Sequence, residues 1–351
     1  MNTPGPSRDP LAGKLPVTLV TGFLGSGKTT LIARLVRHPG MDRVAVVINE
    51  LGEIGIDHDL VAMSTENIAL LANGCICCSV RTDLQETLRD LFARRRAGEI
   101  ADFDRVIIET TGLADPAPVV QTLLADNLVA AHFRLDGLVT LVDAANGAQQ
   151  LANHAEPAKQ IALADRVFVT KSDIASREAV DDLRSAIAQI NPGAEVRLVL
   201  HGEVEPQALT GLGLASARAG EATLRFLGEP LRGEGSAGAK HLGARPPLHD
   251  GSIRTLSLHF DAPFTWNGFS AALELLATLR GPDLLRVKGI VNVEGAPVVV
   301  QGVQHIFHPP VTLDRWPGED RRTRLVFITR RIEAGTIRDL LQAVARVADP
   351  L

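Results

Sequence analysis

The chain has 351 residues, of which 45% are hydrophobic and 22% charged, and its formal net charge is −5. These values are typical of soluble globular proteins, and the length predicts about two domains. The small negative charge and the low aromatic content, with no tyrosine, argue against a surface that binds nucleic acid. We therefore expect no nucleic-acid partner.

The N-terminal segment and the cysteines indicate the compartment. Residues 1–14 lack the basic and then apolar pattern of a secretory signal, and no apolar run approaches the ~20 residues that span a bilayer. The three cysteines all lie between residues 75 and 78, too close together to cross-link a fold. We predict a disordered tail over 1–14 and a cytoplasmic protein that does not associate with membranes.

From residue 15 to about 210, short apolar runs alternate with amphipathic stretches. The predicted strands lie at 17–20, 44–48, 105–108, 138–142, 166–169 and 196–200. One predicted helix directly follows the phosphate-loop motif described below. Three more are predicted at 82–96, 116–130 and 176–190. Continuous apolar strands separated by helices are typical of a parallel sheet covered on both faces. This part of the chain is therefore predicted to be an α/β domain with a doubly wound, mostly parallel sheet.

The composition changes after this region. Residues 211–250 are rich in Gly, Pro and charge, and they predict an irregular linker. From 251 to 351, strand patterns return at 253–259, 284–293, 297–303 and 324–329, with helices at 266–280 and 335–347. This order predicts a smaller C-terminal α+β domain.

The first predicted strand leads into a complete phosphate-binding motif. Residues 22–29 read G-F-L-G-S-G-K-T and match G-x-x-x-x-G-K-[ST] between a buried strand and a helix. Such a loop surrounds phosphates with backbone N–H groups at a helix N-terminus, while Lys28 reaches the β- and γ-phosphates and Thr29 binds Mg²⁺. The predicted nucleotide-binding residues of this loop are Gly22, Gly25, Ser26, Gly27, Lys28, Thr29 and Thr30.

A second apolar strand ends in the sequence E-T-T-G over residues 109–112. A carboxylate at this strand end supports Mg²⁺ in P-loop proteins, so we assign a catalytic role to Glu109 together with Lys28. Gly112 can approach the γ-phosphate, unless the segment is a plain strand end. Because no glutamine follows Gly112, no residue is assigned to orient the attacking water, and we expect slow hydrolysis.

Residues 170–173 read T-K-S-D and follow the strand at 166–169. They resemble the guanine-recognition motif [NT]-K-x-D, in which the carboxylate accepts two hydrogen bonds from guanine. Adenine lacks this pair of donors, so Asp173 would remain poorly paired with it. Thr170, Lys171 and Asp173 therefore predict GTP rather than ATP, although Asp173 could instead be the N-cap of a helix.

The cysteines form a candidate metal site in the sequence G-C-I-C-C. Thiolates of Cys75, Cys77 and Cys78 suit Zn²⁺, Cu⁺ or Co²⁺, and three of them leave a fourth position open. We assign Glu53 as an additional ligand, with Glu50, Asp57 and His58 as further candidates in the preceding segment. Buried non-ligating cysteines and a redox switch remain alternatives, and His58 alone is more typical of a surface residue.

The phosphate loop, N-E-x-G-E at 49–53, G-C-I-C-C, E-x-x-G and T-K-x-D occur in an order that resembles the CobW family of P-loop GTPases. Residues 284–289 and 322–328 resemble that family's C-terminal domain, and 301–304 its YjiA-like branch. The resemblance implies a CobW-type GTPase domain over 15–210. It also implies a GTP-driven metallochaperone that holds an ion at the cysteines and serves a client metalloprotein.

The resemblance implies GTP, Mg²⁺ and Zn²⁺ as ligands, with Co²⁺ as an alternative because of the family's association with cobalamin. We hypothesise that GTP·Mg²⁺ orders the loop containing Glu50 and Glu53 and that hydrolysis then releases the metal or the client. Two other functions remain open, a cobalt chaperone and a signalling or assembly GTPase with structural cysteines. The chain is compatible with an oligomer.

Overall fold

The fold is that of a computed structural model, which describes residues 11, 13–41, 43–49, 61–62, 68–71, 76–79, 84–213 and 252–347. For residues 49, 61–62, 68–71, 76–79 and 345–347 it describes the backbone alone. Most of the predicted tail over 1–14 and of the predicted linker over 211–250 lies outside the described residues. Cys75 and the candidate ligands Glu50, Glu53, Asp57 and His58 lie outside them as well.

In the described part of the N-terminal half, one sheet contains nine strands. They are β1 (Leu15–Gly22), β2 (Val44–Asn49), β3 (Val61–Ala62), β4 (Ile68–Leu71), β5 (Ile76–Ser79), β6 (Arg105–Thr110), β7 (Phe133–Asp143), β8 (Arg166–Thr170) and β9 (Glu195–Val199). Their spatial order is β3-β4-β5-β2-β6-β1-β7-β8-β9. The strands from β5 to β9 in this order are parallel, whereas β3 and β4 are antiparallel to their neighbours.

Helices connect the parallel strands. They are α1 (Lys28–Leu35), α2 (Leu84–Ala97), α3 (Ala117–Ala125), α4 (Asn127–His132), α5 (Gly147–Asn153), α6 (Ala155–Leu163) and α7 (Arg177–Ile190). The single helix predicted over 116–130 is wrong, because Asp126 adopts an extended conformation there and begins a second helix. Its carboxylate accepts a 2.8 Å hydrogen bond from the Val129 N–H, which is the N-cap arrangement. Helices α5 and α6 and the short strands β3 to β5 were not predicted from the sequence.

The sheet is buried on both faces because alternate strand residues enter two different cores. Val47 and Leu19 pack in one core with α2, α3 and α6, whereas Val46 and Val20 pack in the other with α1. Each fully buried Val or Leu contributes about 1.5–3 kcal/mol relative to an exposed one. The predicted doubly wound, mostly parallel sheet is therefore confirmed.

The C-terminal domain is built on an antiparallel sheet. Its strands are β10 (Ile253–Phe260), β11 (Leu284–Val293), β12 (Ala296–Val303), β13 (Ile306–Phe307), β14 (Val311–Thr312) and β15 (Thr323–Arg330), in the order β10-β15-β11-β12-β13 with β14 beside β12. Helices α8 (Trp266–Arg280) and α9 (Ala334–Val347) cover one face through Phe269 and Leu341. The predicted α+β class of this domain is confirmed. No described helix is long and apolar enough to cross a membrane.

The two domains share a buried interface. Leu285 and Ile290 of β11 belong to the same apolar core as α6 of the nucleotide domain. Arg286, also on β11, forms an ion pair with Asp165 and donates a 3.0 Å hydrogen bond to the carbonyl of Leu163. The apolar residues on the other face of the C-terminal sheet therefore pack against the first domain, whereas Ser257 and His259 of β10 remain exposed.

Candidate functional site

The phosphate loop begins at the end of β1 and closes on the first turn of α1. Gly22 has φ 146°, and a Cβ atom at this position would lie 2.4 Å from the carbonyl oxygen of Leu141. Only glycine fits there, because that contact is with the backbone of the neighbouring strand β7. Gly25 and Gly27 follow in left-handed conformations, and Gly27 immediately precedes α1. The loop therefore brings successive N–H groups to a helix N-terminus, as phosphate binding requires.

The side chains of this loop also suit an anion. Lys28 is only 6% exposed, and its Nζ donates hydrogen bonds to the carbonyls of Gly22 at 3.0 Å and Phe23 at 3.3 Å. Its ammonium group is thus held across the opening of the loop. Ser26 Oγ is buried and has no hydrogen-bond partner among the described residues, so a phosphate oxygen would satisfy a donor otherwise left unpaired. Thr30 is exposed on the first turn of α1.

A pair of oxygen atoms next to the loop fits the expected Mg²⁺. Thr29 Oγ1 donates a 3.1 Å hydrogen bond to Oε1 of Glu109, whose side chain is fully buried at the end of β6. Hydroxyl and carboxylate oxygens are the ligands that Mg²⁺ prefers. The next residue, Thr110, donates a 2.8 Å hydrogen bond to Thr21 of β1, which fixes the end of β6 against the start of the phosphate loop.

The segment predicted to recognise guanine, residues 170–173, lies on the other side of the phosphate loop. Thr170 Oγ1 donates a 2.8 Å hydrogen bond to the carbonyl of Ser26, so the segment and the loop are directly joined. Lys171 adopts a left-handed conformation with φ 57°, and its Nζ donates a 2.8 Å hydrogen bond to Asp143. Asp173 is exposed and accessible to a base.

Asp143 is a residue of the candidate site that was not predicted from the sequence. It lies at the end of β7 with its side chain 1% exposed. Burial opposes ionisation of this carboxyl, but hydrogen bonds from Lys171 and Asn146 outweigh burial and hold its pKa below the ordinary value. A charged Asp143 therefore fixes the Lys171 stem. A polar residue at the carboxyl end of a parallel strand was the available signal.

The loop after Glu109 lies directly on the phosphate loop. A Cβ atom at Gly112 would lie 2.8 Å from the Leu24 backbone N and 2.9 Å from its Cα, so only glycine permits this approach. Gln160 of α6, which is 1% exposed, donates hydrogen bonds to the carbonyls of Gly112 at 3.1 Å and Ala114 at 3.2 Å. Gln160 holds this loop in place, and it was also missed because nothing in the local sequence of α6 marks it.

The cysteine motif is placed by backbone register. Cys77 and Cys78 lie on β5, where they pair with Val46 and Val47 of β2. The next pair in the same ladder is Ser79 with Ile48, and Ile48 pairs in turn with Glu109 of β6. Two strand spacings correspond to roughly 10 Å, so the cysteine strand runs close to the predicted Mg²⁺ ligand.

Among the side chains that the structure describes, no three His, Cys, Asp or Glu residues are grouped to hold a metal ion. The cysteine side chains are not among them.

A glycine loop, a buried lysine and a helix start at the carboxyl edge of a parallel sheet define a P-loop nucleotide-binding protein. The comparisons with known proteins agree with this class. The model of the CobW/HypB/UreG nucleotide-binding domain matches residues 16–197, and that of the cobalamin synthesis protein cobW C-terminal domain matches residues 253–345. The chain belongs to the CobW/HypB/UreG family.

Several relatives resemble the chain over nearly its whole length. The zinc chaperone YjiA of Escherichia coli is 32% identical over 332 residues, covering 92% of this chain and 96% of YjiA. The zinc chaperone CobW of Pseudomonas aeruginosa is 34% identical over 372 residues, covering 94% and 91%. The crystal structure of the Zn(II)-bound YjiA GTPase from E. coli has a TM-score of 0.73 at 30% identity, covering 94% of this chain and 99% of YjiA.

Proposed function

We propose that this chain is a GTP-dependent metallochaperone. It would bind a transition metal, Zn²⁺, at the C-x-C-C motif and deliver it to a client metalloprotein, coupled to slow hydrolysis of GTP. The observation that carries this proposal is the register of three neighbouring strands. Strand β2 pairs on one side with the strand of Cys77 and Cys78 and on the other with the strand of Glu109.

GTP is the proposed nucleotide because of the segment that follows β8. Lys171 is fixed by Asp143, and Asp173 remains exposed beside the phosphate loop. A carboxylate there could accept hydrogen bonds from the N1–H and exocyclic amine of guanine, which adenine cannot offer. The relatives include a protein named as a GTPase, which agrees with this choice.

Zn²⁺ is the proposed cargo because thiolates bind it well and because both relatives described above are named zinc chaperones. Cys75, Cys77 and Cys78 would supply three ligands, and Glu53 is the proposed fourth. A site closed by a replaceable oxygen ligand suits transfer to a client better than permanent binding.

In the proposed reaction, Lys28 and the loop N–H groups bind the β- and γ-phosphates, and Gly112 approaches the γ-phosphate. Mg²⁺, held by Thr29 with the support of Glu109, would neutralise the phosphate charge when bound. The residues after β2, including Glu53, would change position with the γ-phosphate and so change the metal ligands. Thermodynamic linkage then requires that Zn²⁺ and GTP change each other's affinity by the same factor.

A Zn²⁺ titration tests this coupling. The affinity for Zn²⁺ is measured with a competing chelator in the presence of GDP and of a non-hydrolysable GTP analogue, with Mg²⁺ in both. We expect the two affinities to differ by at least about fivefold, the lower end of usual coupling energies. Equal affinities would remove the coupling from the proposal, and preferential binding of ATP would remove the proposed nucleotide.

The same assay separates the two alternatives. The Cys77→Ser and Cys78→Ser variants should lose Zn²⁺, while Ser79→Ala on the same strand serves as the matched control. Retention of Zn²⁺ in both cysteine variants would favour a signalling or assembly GTPase with structural cysteines. A titration with Co²⁺ in parallel would favour the cobalt chaperone if Co²⁺, and not Zn²⁺, responds to the nucleotide.

A further inference from the structure

The loop that approaches the γ-phosphate is bound at its far end to the C-terminal domain. This loop comprises residues 112–115, and it ends at Asp115, two residues before the start of α3. Asp115 Oδ1 accepts a 3.1 Å hydrogen bond from the Ala117 N–H. Asp115 Oδ2 accepts hydrogen bonds from Lys159 Nζ at 2.6 Å and from Gln304 Nε2 at 3.1 Å. Lys159 belongs to the nucleotide domain, whereas Gln304 belongs to the C-terminal domain.

Gln304 occupies an unfavourable backbone conformation at the turn between β12 and β13. Its φ is 56°, in the left-handed region where glycine or asparagine is preferred. Its N–H donates a 3.1 Å hydrogen bond to the carbonyl of Leu285 on β11, and the residue as a whole is only 9% exposed. A side chain that is buried at a strained turn, and that reaches into the other domain, indicates a function beyond forming the turn.

The contacts form a continuous path from the phosphate loop to this turn. Gly112 lies against Leu24 of the phosphate loop, and Gln160 fixes the carbonyls of Gly112 and Ala114. Asp115 then connects the loop to Gln304. A displacement of the loop that moves the Asp115 carboxylate would therefore change the Asp115–Gln304 hydrogen bond or move the turn with it.

We propose that Gln304 is a positioning residue, supplied by the C-terminal domain, that sets how well the loop at 112–115 receives the γ-phosphate. This inference rests on the proposed function, because it assumes that the site binds GTP. It adds that the preference for GTP over GDP depends on a contact between domains. Occupation of the C-terminal domain by a client would act on the nucleotide through this contact, and the reverse would also hold.

The contact can be removed without separating the domains. Arg286 and Asp165 form a buried ion pair elsewhere in the interface, and apolar residues of β11 pack on α6. Gln304→Gly removes the side chain and also relieves the left-handed strain, so the folded state should be as stable as before. Gln304→Lys keeps a donor long enough to reach Asp115, and its charge suits that carboxylate.

The test compares the affinities of the full chain for a fluorescent GTP analogue and for GDP with Mg²⁺ present. In Gln304→Gly the ratio of GTP-analogue affinity to GDP affinity should fall at least threefold, and Gln304→Lys should keep the original ratio. The turnover number for GTP should fall in Gln304→Gly while the affinity for GDP stays unchanged. Gln342→Ala, at an exposed position of α9 where alanine suits the helix, is a surface control for the assay.

Two results would overturn the proposal. One is a ratio in Gln304→Gly within threefold of the original, and the other is an equal fall in Gln304→Lys. Either result leaves the proposed function intact, provided that the unchanged chain binds GTP. A chain that binds no GTP at all would instead refute the proposed function, so the two failures are distinguishable. Urea unfolding of the same variants shows whether a changed ratio accompanies a change in stability, which a purely structural role would require.

Discussion

The ion cluster between the domains allows a quantitative prediction about stability. Asp165 forms ion pairs with Arg286 and with Lys288, whose Nζ lies 3.2 Å from Asp165 Oδ1. The side chains of Asp165 and Arg286 are 7% and 6% exposed. Burial raises the pKa of Asp165, but the two cations outweigh burial and hold that pKa below the ordinary value. The carboxylate is therefore charged in the folded protein.

Replacing Asp165 by Asn should destabilise the protein by about 3–5 kcal/mol, because it leaves buried cations facing a neutral amide. Arg286→Met should cost less, since Asp165 keeps Lys288 and a 3.0 Å hydrogen bond from the Leu138 N–H. Glu333→Gln breaks a pair with Arg254 whose side chains are 79% and 61% exposed, so it should cost below about 1 kcal/mol.

Urea unfolding measures these differences, and the chain provides its own reporter. Both tryptophans, Trp266 and Trp316, lie in the C-terminal domain, and the chain has no tyrosine. Tryptophan emission therefore follows that domain alone, while circular dichroism follows both. In Asp165→Asn we expect the emission transition to move to lower urea than the dichroism transition, because the interface no longer couples the domains. A cost equal to that of Glu333→Gln, or smaller than that of Arg286→Met, would refute this account of the interface.

Three further predictions concern single positions. Gly112→Ala should lower the affinity for a GTP analogue more than tenfold, because the new Cβ would lie 2.8 Å from the Leu24 backbone N. The control is Gly318→Ala, whose new Cβ would meet no atom within 4 Å, and it should leave the affinity unchanged. Asp173→Ala should lower GTP affinity by about 3 kcal/mol or more, roughly a hundredfold, and leave weak ATP binding unchanged in a competition assay. Burial and Arg286 lower the pKa of His308 to about 3 in the folded protein. As the pH falls below 6.5, His308 is therefore protonated in the unfolded chain but not in the folded one, and the free energy of unfolding decreases. Urea unfolding of the original chain should show a decrease of roughly 2 kcal/mol in the free energy of unfolding between pH 7.5 and pH 5 because of His308. This contribution should be absent in His308→Gln, and an unchanged pH dependence in that variant would contradict the prediction.

The fold could be predicted where burial leaves a clear pattern in the sequence. Strands β1, β2, β6, β7 and β8 are buried on both faces and appear as continuous apolar runs, so the parallel sheet was evident. The break at Asp126 was missed because its neighbours in sequence have helical character, and the break depends on the cap to Val129 and an ion pair with Arg89. Helices α5 and α6 are short. Asn146 occupies the N-cap of α5 but makes no capping hydrogen bond through its side chain, and His154 at the N-cap of α6 is not a typical capping residue.

The residues of the candidate site also fall into two groups, those within a local sequence motif and those brought together only by the fold. The residues proposed to bind phosphate through the backbone form a local motif, so Gly22 to Thr29 could be proposed from spacing alone. Gln160, Asp143 and Gln304 act on those residues through contacts that join distant parts of the chain. The separation between Gln304 and Asp115 is 189 residues, and no local pattern can reveal such a pair. Their roles follow only from the folded arrangement.

The nucleotide site has two connections to the rest of the protein, and they start from different residues. Glu109 is joined through β2 to the cysteine strand, whereas Gly112 is joined through Asp115 to Gln304 and the C-terminal domain. Because the two paths share no residue beyond the E-T-T-G segment, their effects should be separable. Gln304→Gly should change the preference for GTP over GDP but leave the Zn²⁺ affinity measured with GDP unchanged. Cys77→Ser should do the opposite, lowering Zn²⁺ affinity while the nucleotide preference in zinc-free buffer stays the same. If either variant altered both quantities, the two paths would have to be a single switch, and the loop at 112–115 and the cysteine strand would move together.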